Sequence, residues 1–409
     1  MRHNHHIFIT KRSWLAIAVV AGVLAGCGHP AVLQPGIGFG ADAQVSPSSP
    51  PVPPCTDQAS FHLLGETRWG PDVQFASVPV GGLSSIDYNA TDDRYYLVSD
   101  DRAAHDSARF YTARIHYDAS GLHSVQLDDA RHLGAPDDQP YAPKRAARAG
   151  VAVPDPEALR VLPGSQRIVW SSEGDFARGF GPELNEATLD GRWQQAWPLP
   201  PQLQLPARNS GSIGPRNNMT LEGMAISDDQ KTLWLAMEGA LKQDGPLPAR
   251  GVPGGPLRIT QYDIATRQPQ RQIAYVPDAL PVDNLTLPLV AVNGVSEILA
   301  DGPGHLLVLE RSYVLGTGFS ARLYRIATDA TNTLAMDALV PGQFEPASKT
   351  LLLDLAQAGL QTVDNIEGMT WGPRLANGQR VLLLVSDNNF NPAEVTQFIA
   401  LAETPTCPR

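Results

Sequence analysis

The stretch Leu221-Glu-Gly-Met-Ala-Ile-Ser-Asp-Asp-Gln-Lys-Thr-Leu-Trp-Leu-Ala-Met-Glu238 decides the fold. Its middle, Ser227-Asp-Asp-Gln230, is turn chemistry, because short polar side chains bond to their own backbone there. Glu222 opens a strand that runs to about Ile226. Thr232–Met237 is apolar and aromatic, as a buried strand should be. The midpoint of Glu222 and Glu238 is Gln230, inside the turn. When the two strands pair antiparallel, the acid that opens one and the acid that closes the other become neighbours.

The pattern recurs along the chain. Asp87 pairs in this way with Ser99-Asp100-Asp101, and Glu157 with Ser172-Glu173-Gly-Asp175. Glu297 pairs with Leu309-Glu310-Arg311, and Glu367 with Ser386-Asp387-Asn-Asn389. Turn residues lie near each midpoint: Ala90–Asp93, Pro163–Ser165, Asp301–Gly304 and Arg374–Gly378. Two further strand candidates follow several of these hairpins, such as Arg109–Tyr117 with His123–Leu127, and Leu257–Tyr262 with Arg271–Tyr275. After the fourth hairpin come Ala321–Ile326 and Lys349–Leu353.

Four strands per unit, recurring every ~70 residues against the usual ~40–50, predict an all-β propeller with long loops. The excess sits in stretches such as Ala135–Gly150 and Ala240–Gly255. Five four-stranded blades are expected; six is the alternative if Ala135–Gly150 holds another. A solenoid is the other way to stack repeats, but the chain ends argue for a closed ring. The last unit has only Ile366–Trp371, Arg380–Ser386 and Val395–Leu401, and Ser60–Gly65 can supply its missing strand. That pairing would bring Cys55 and Cys407 close enough for a disulfide across the closure.

The 409-residue chain is long enough for one large all-β domain, and its formal charge of −11 argues against nucleic acid as a partner. Residues 1–26 read as a targeting segment: Arg2, Lys11 and Arg12, then the apolar run Trp14–Leu24. That run is shorter than the ~20 residues of a spanning helix. It ends in Leu24-Ala-Gly-Cys27, which resembles the lipobox of bacterial lipoproteins. The resemblance implies cleavage before Cys27, a lipid on its sulfur, and a place in the cell envelope. Gly28 after the cysteine, rather than Asp, favours the outer membrane in a cell that has one, and the expected place is its periplasmic face or the cell surface. Of three cysteines, Cys27 as lipid carrier leaves one even pair for an oxidising compartment. Residues 27–56, rich in Pro, Gly and Ser, read as a tether, and 57–409 as the propeller, expected to be monomeric.

The acids form the candidate site: Asp87, Asp100, Asp101, Glu157, Glu173, Glu222, Glu238, Glu297, Glu310, Glu367 and Asp387. Hard oxygen ligands in this number suit calcium, which takes ~6–8 of them in flexible geometry. Zinc is disfavoured, because the histidines lack ligand spacing. The plainer reading is that an acid repeated in every blade caps each hairpin. Like charges that converge on an axis nevertheless repel unless a cation or arginines offset them. Arg102, Arg216 and Arg311 lie near the acids, as salt-bridge partners or as binders of an anionic substrate. His105 follows Asp100-Asp-Arg102 and is either a general acid or base or a solvated loop residue. No Gly-x-Ser-x-Gly nucleophile elbow is present.

Val80-Gly-Gly-Leu-Ser-Ser-Ile-Asp87, Val98-Ser-Asp-Asp-Arg102, Arg216-Asn-Asn-Met-Thr-Leu-Glu-Gly-Met224, Leu309-Glu-Arg311 and Asp364-Asn-Ile-Glu-Gly-Met369 with Ser386-Asp-Asn-Asn-Phe-Asn391 resemble the phytase-like domain family, also called esterase-like activity of phytase. The resemblance covers about residues 60–402, with Ser85 where the family usually has Gly. It implies a propeller and a link to phosphoester or carboxyl-ester hydrolysis assisted by calcium in an acidic cleft. The chain is therefore expected to be a calcium-dependent ester hydrolase acting on a small ester, most simply a phosphomonoester, with Glu222, Glu367 and His105 as candidate catalytic residues. The alternative is a non-catalytic, calcium-stabilised binding propeller of the envelope.

Overall fold

The computed structural model describes residues 60–144, 150–207, 211–281 and 291–404. They form five antiparallel four-stranded sheets set as propeller blades. The chain enters through β1 (Ser60–Trp69) and a short hairpin, β2 (Gln74–Phe75) and β3 (Val78–Pro79). Blade one follows with β4 (Leu83–Asn89), β5 (Arg94–Ser99), β6 (Arg109–Asp118) and β7 (Gly121–His132). Blade two is β8 (Pro156–Val161), β9 (Arg167–Ser172), β10 (Glu183–Thr188) and β11 (Trp193–Trp197). Blade three is β12 (Leu221–Ile226), β13 (Thr232–Met237), β14 (Leu257–Asp263) and β15 (Gln268–Tyr275). Blade four is β16 (Ala291–Ala300), β17 (His305–Val314), β18 (Gly318–Ala327) and β19 (Lys349–Asp354). Blade five takes β20 (Asn365–Gly372), β21 (Val381–Asp387) and β22 (Thr396–Thr404), and completes itself with β1.

The first strands of the blades, β4, β8, β12, β16 and β20, contact one another in cyclic order, with β20 returning to β4. That contact makes the array a ring rather than a solenoid. The loop after β7 holds an isolated bridge, Gly134 to Pro140, and no further sheet among its described residues, so there is no sixth blade there.

β1 pairs with β22 from Ser60 opposite Thr404 to Trp69 opposite Thr396, and the Trp69 ring meets Phe398 edge-on at 4.7 Å. The expected Cys55–Cys407 disulfide is corrected: no cysteine pair at bonding distance is found among the described residues, outside which all three cysteines lie. The ladder between β1 and β22 closes the ring by backbone hydrogen bonds and apolar packing instead.

The core lies between neighbouring blades rather than inside any one of them. Val98, Phe110, Leu159 and Trp170 fill the space between blades one and two. Met224, Leu235, Ile298 and Val308 join blades three and four. Leu309, Leu323, Met369 and Leu384 join blades four and five, and Ile86, Leu97, Val385 and Phe398 join five to one. Each blade is apolar on both faces because each face meets a neighbour. Close approach of the inner strands explains two glycines. A Cβ on Gly223 would lie 2.7 Å from Ile298 N, and one on Gly368 2.9 Å from Ile86 N.

Candidate functional site

Every inner strand carries an extra residue at the same height. The register slips between Leu83 and Ser85, Pro156 and Leu159, Leu221 and Met224, Val295 and Glu297, and Ile366 and Gly368. A bulge of this kind re-aims a side chain and is common beside functional sites. The places it occupies in blades one to five hold Ser84, Glu157, Glu222, Ser296 and Glu367. One pair further toward the mouth, the second strands contribute Asp100, Glu173, Glu238, Arg311 and Asp387. These face Gly82, Asp155, Thr220, Gly294 and Asn365. Two tiers of five positions thus converge at one end of the axis, and blade four puts a guanidinium where the others put a carboxylate.

Asp100, Glu157, Glu222, Arg311, Glu367 and Asp387 of these tiers line the floor of a cleft of about 600 Å³. Carboxylate oxygens of Asp100, Asp155 and Glu157 lie within 4.8 Å of one another, as do those of Glu157, Glu173 and Glu222. The two groups share Glu157. Arg102 Nε donates to Asp155 Oδ1 at 2.7 Å. Arg311 lies 3.3 Å from Glu238 Oε1 and 2.9 Å from Glu367 Oε1. Asn365 Nδ2 also donates to Glu367 Oε1 at 2.9 Å, and the Asn389 N–H donates to Asp387 Oδ1 at 2.7 Å. Glu173 Oε1 accepts from the Thr220 N–H, whereas Glu173 Oε2 and Asn365 Oδ1 are buried without a hydrogen-bond partner.

Burial and mutual repulsion disfavour so many charges. Asp155 is pushed up to about 6 by burial, with Arg102 pulling the other way. Glu238 is pushed up to about 7 by burial, against the pull of Arg311. Glu157 and Glu222 are raised well above the carboxylate range, first by burial and then by each other's neighbourhood of acids, including Glu238 beside Glu222. Glu173, Asp100 and Asp387 are raised in the same way. A divalent cation would reverse this balance. The donors fit such an ion: they are all oxygen, rich in carboxylate, and include buried oxygens that nothing in the protein satisfies.

The structure brings Asp100, Glu157, Glu173, Glu222, Glu238, Glu367 and Asp387 together at this mouth, with Arg102 and Arg311 among them. The other candidates lie deeper, to the side or at the rim. Asp87 and Glu297 sit past the bulge, deeper along the axis, where Asp87 Oδ2 accepts from the Val161 N–H at 2.8 Å. Arg160 Nη2 donates to Glu297 Oε2 at 2.6 Å and Nη1 to Ser85 Oγ at 2.8 Å. Glu310 is turned aside and accepts from Asn293 Nδ2 and Lys349 Nζ, each at 2.8 Å. Asp101 is buried against Arg109 and accepts from His105 Nδ1 at 2.8 Å. Arg216 donates to the carbonyls of Ala240 and Gly245 at 3.0 and 2.8 Å. His105 lines the cleft with its ring stacked on Phe390. Cys27 lies outside the described residues. Sequence reasoning passed over Asp155, whose signal is its place directly before Pro156, opposite Glu173.

Fold and site together define a five-bladed propeller whose axial mouth is a cleft of buried carboxylates able to hold a cation. The sequence model of the family described as Phytase-like: Esterase-like activity of phytase matches residues 78–390, and the chain belongs to this family. An uncharacterized secreted protein of Arthroderma benhamiae is 28% identical over 141 residues, which is 29% of this chain and 27% of that protein. The chain thus matches about a quarter of that relative's length. Among solved structures, an alpha-L-arabinofuranosidase from Lactobacillus brevis is similar at TM-score 0.39 and 13% identity, covering 78% of this chain and 91% of that one. The alpha-L-arabinofuranosidase PaAbf62A from Podospora anserina follows at TM-score 0.38 and 10% identity, covering 86% and 98%. A bifunctional GH43-CE protein of Bacteroides eggerthii gives TM-score 0.37 and 10% identity, covering 78% of this chain and 33% of that one.

Proposed function

We propose that this protein is a calcium-dependent ester hydrolase, acting on phosphomonoesters at the carboxylate cleft. The observation that carries the reading is the pair of acid groups sharing Glu157, with the unsatisfied Glu173 Oε2 beside them. Asp100, Asp155 and Glu157 would hold one cation, and Glu157, Glu173 and Glu222 a second. Calcium suits so carboxylate-rich a set better than magnesium, which keeps several waters and takes few carboxylates. When bound, such an ion neutralises the floor, polarises the ester oxygen and lowers the pKa of a water.

The chain's own residues then have distinct tasks. Arg311 and Asn365 fix Glu367 as an anchored proton acceptor at the cleft wall. Glu222 stands among Glu157 and Glu173, where a carboxylate oxygen left free by the cation would exchange a proton with water or a leaving alcohol. His105 has Nδ1 committed to Asp101, which leaves Nε2 for a substrate proton. Arg102 is held against Asp155 at the edge, where its charge is already met by that carboxylate. The same proposal places the domain in the cell envelope, tethered through a lipid on Cys27.

Phosphate release from a generic phosphomonoester, measured with calcium and with a chelator, tests the reading. Calcium-dependent release that falls at least about a hundredfold in Glu222→Gln or Glu367→Gln is expected for groups that move protons. Release indifferent to both chelator and variants would overturn it. A melting point that rises with calcium, with no turnover at all, would instead mark a calcium-stabilised binding propeller.

A further inference from the structure

The cleft has an acidic floor and an aromatic wall. Two ring pairs line it. His105 and Phe390 stack with centroids 4.1 Å apart and planes at 23°. Tyr313 and Phe319 meet at 4.8 Å and 49°. They come from different places in the fold. Tyr313 and Phe319 are cross-strand partners on the part of β17 and β18 that continues beyond Arg311 to the turn at Val314 and Gly318. Blade four alone joins its second and third strands by so tight a hairpin, and so raises a two-stranded wall beside the mouth.

Phe390 is held in place at some conformational expense. Its φ is +49°, a left-handed backbone that a bulky side chain rarely adopts. Its N–H donates to Asn388 Oδ1 at 3.1 Å, and the same buried oxygen accepts from the Gly82 N–H at 3.2 Å. The ring lies against Gly81 and Gly82, where a Cβ would meet it at 3.0 and 2.9 Å. An aromatic ring held in this way by a buried amide and a glycine pair is a placed surface rather than a loop accident.

The cations of the cleft point the same way. Arg102 is paired with Asp155, and Arg311 with Glu238 and Glu367. The remaining lining cation, Lys144, is exposed at the rim. Both guanidinium groups are therefore already neutralised, and a substrate bearing several phosphates would find few charges to meet them. A single anionic group facing the floor through calcium, with a flat apolar body against the rings, meets the lining at both ends.

We propose that the cleft selects phosphomonoesters of aromatic alcohols, with the aryl body lying on His105, Phe390, Tyr313 and Phe319, over polyphosphorylated polyols. This rests on the phosphomonoester reading above for the chemistry, but it makes a separate claim about binding.

Phosphonates separate the two, because they have no leaving group. The calcium-loaded protein is titrated calorimetrically with methylphosphonate, naphthylmethylphosphonate and inositol hexakisphosphate. Naphthylmethylphosphonate is expected to bind at least about tenfold tighter than methylphosphonate, as one good aromatic contact allows. Phe390→Leu with Tyr313→Leu, which keep apolar bulk without the rings, should shrink that ratio below about threefold while leaving methylphosphonate within about twofold. Equal affinities for the two phosphonates, a ratio unchanged in the double variant, or tighter binding of inositol hexakisphosphate would each overturn the proposal. Turnover is scored separately: aryl selectivity in binding without hydrolysis overturns the hydrolase reading and leaves this one standing.

Discussion

Arg311 Nη2 donates to Glu367 Oε1 at 2.9 Å, across the boundary between blades four and five. Arg311 occupies the place in its blade that Asp100, Glu173, Glu238 and Asp387 occupy in theirs. Burial would lower its pKa, but Glu238, Glu367, Glu222 and Glu157 together raise it. The fourth blade thus supplies a counter-ion to Glu238 and Glu367. Arg311→Gln strands two buried carboxylates, and removing one partner of a buried pair costs about 3–5 kcal/mol. Chelated Arg311→Gln should therefore unfold at distinctly lower urea than chelated wild type. Matching midpoints would show that Glu238 and Glu367 are protonated and need no partner.

The carboxyls predict an inverted pH dependence. Asp155 is raised to about 6 and Glu238 to about 7, above the ~4 of an unfolded acid. Between those values the folded chain binds more protons than the unfolded one, so stability falls as pH rises. The contribution is fully present below about pH 4 and is lost as pH passes through 6 and 7. Melting of the chelated protein should drop across this window. Calcium competes with those protons, so its stabilising shift should be larger at pH 8 than at pH 5. A calcium shift independent of pH would mean that the ion binds away from these acids.

The fold was legible because strand pairing has a period. Turns at the midpoint between two acids located hairpins that the structure shows, and counting strands gave the ring and its closure by a strand at Ser60–Gly65, which the structure extends to Trp69. The site was harder, because a bulge adds a residue without leaving a mark in the sequence. In blades two, three and five the bulge itself carries Glu157, Glu222 or Glu367, so the acids fall where a pattern finds them. In blades one and four it carries Ser84 and Ser296, and the nearest acids, Asp87 and Glu297, lie past it. Glu310 is likewise one residue before the ring position, which is Arg311. A one-residue difference in a strand turns a side chain to the other face. Asp155 went unnoticed because its counterparts Gly82, Thr220, Gly294 and Asn365 show no repeat.

Glu297 belongs to a second layer with its own consequence. It lies opposite Arg160 at 2.6 Å, and its other oxygen accepts from the Met224 N–H at 2.8 Å and the Ile298 N–H at 2.9 Å. Arg160 also reaches Ser85 Oγ, so side chains and backbone of blades one to four meet on the axis. Burial raises Glu297 to about 7 despite Arg160. Glu297→Gln should cost about 3–5 kcal/mol as a broken buried pair. It should leave the calcium stoichiometry unchanged. Loss of a calcium equivalent on titration of this variant would move Glu297 into the metal site.

The shared carboxylate makes the sharpest case. Asp100 and Asp155 join Glu157 in one group, while Glu173 and Glu222 join it in the other. If each group holds an ion, the two ions lean on one residue, and substitutions should sort by group. Asp100→Asn should weaken one calcium equivalent and spare the second; Glu173→Gln should do the reverse. Glu157→Gln should weaken both, because no neighbouring acid replaces its oxygens in either group. Losing one charged ligand of a hard cation site should lower affinity by at least about tenfold, the low end of what even outer-shell changes cost. Calorimetric titration of the chelated, calcium-free variants reads the equivalents directly. A single class of sites weakened equally by Asp100→Asn and Glu173→Gln would mean one ion spanning the ring. The hydrolase mechanism would then have to place nucleophile and leaving group on the same cation.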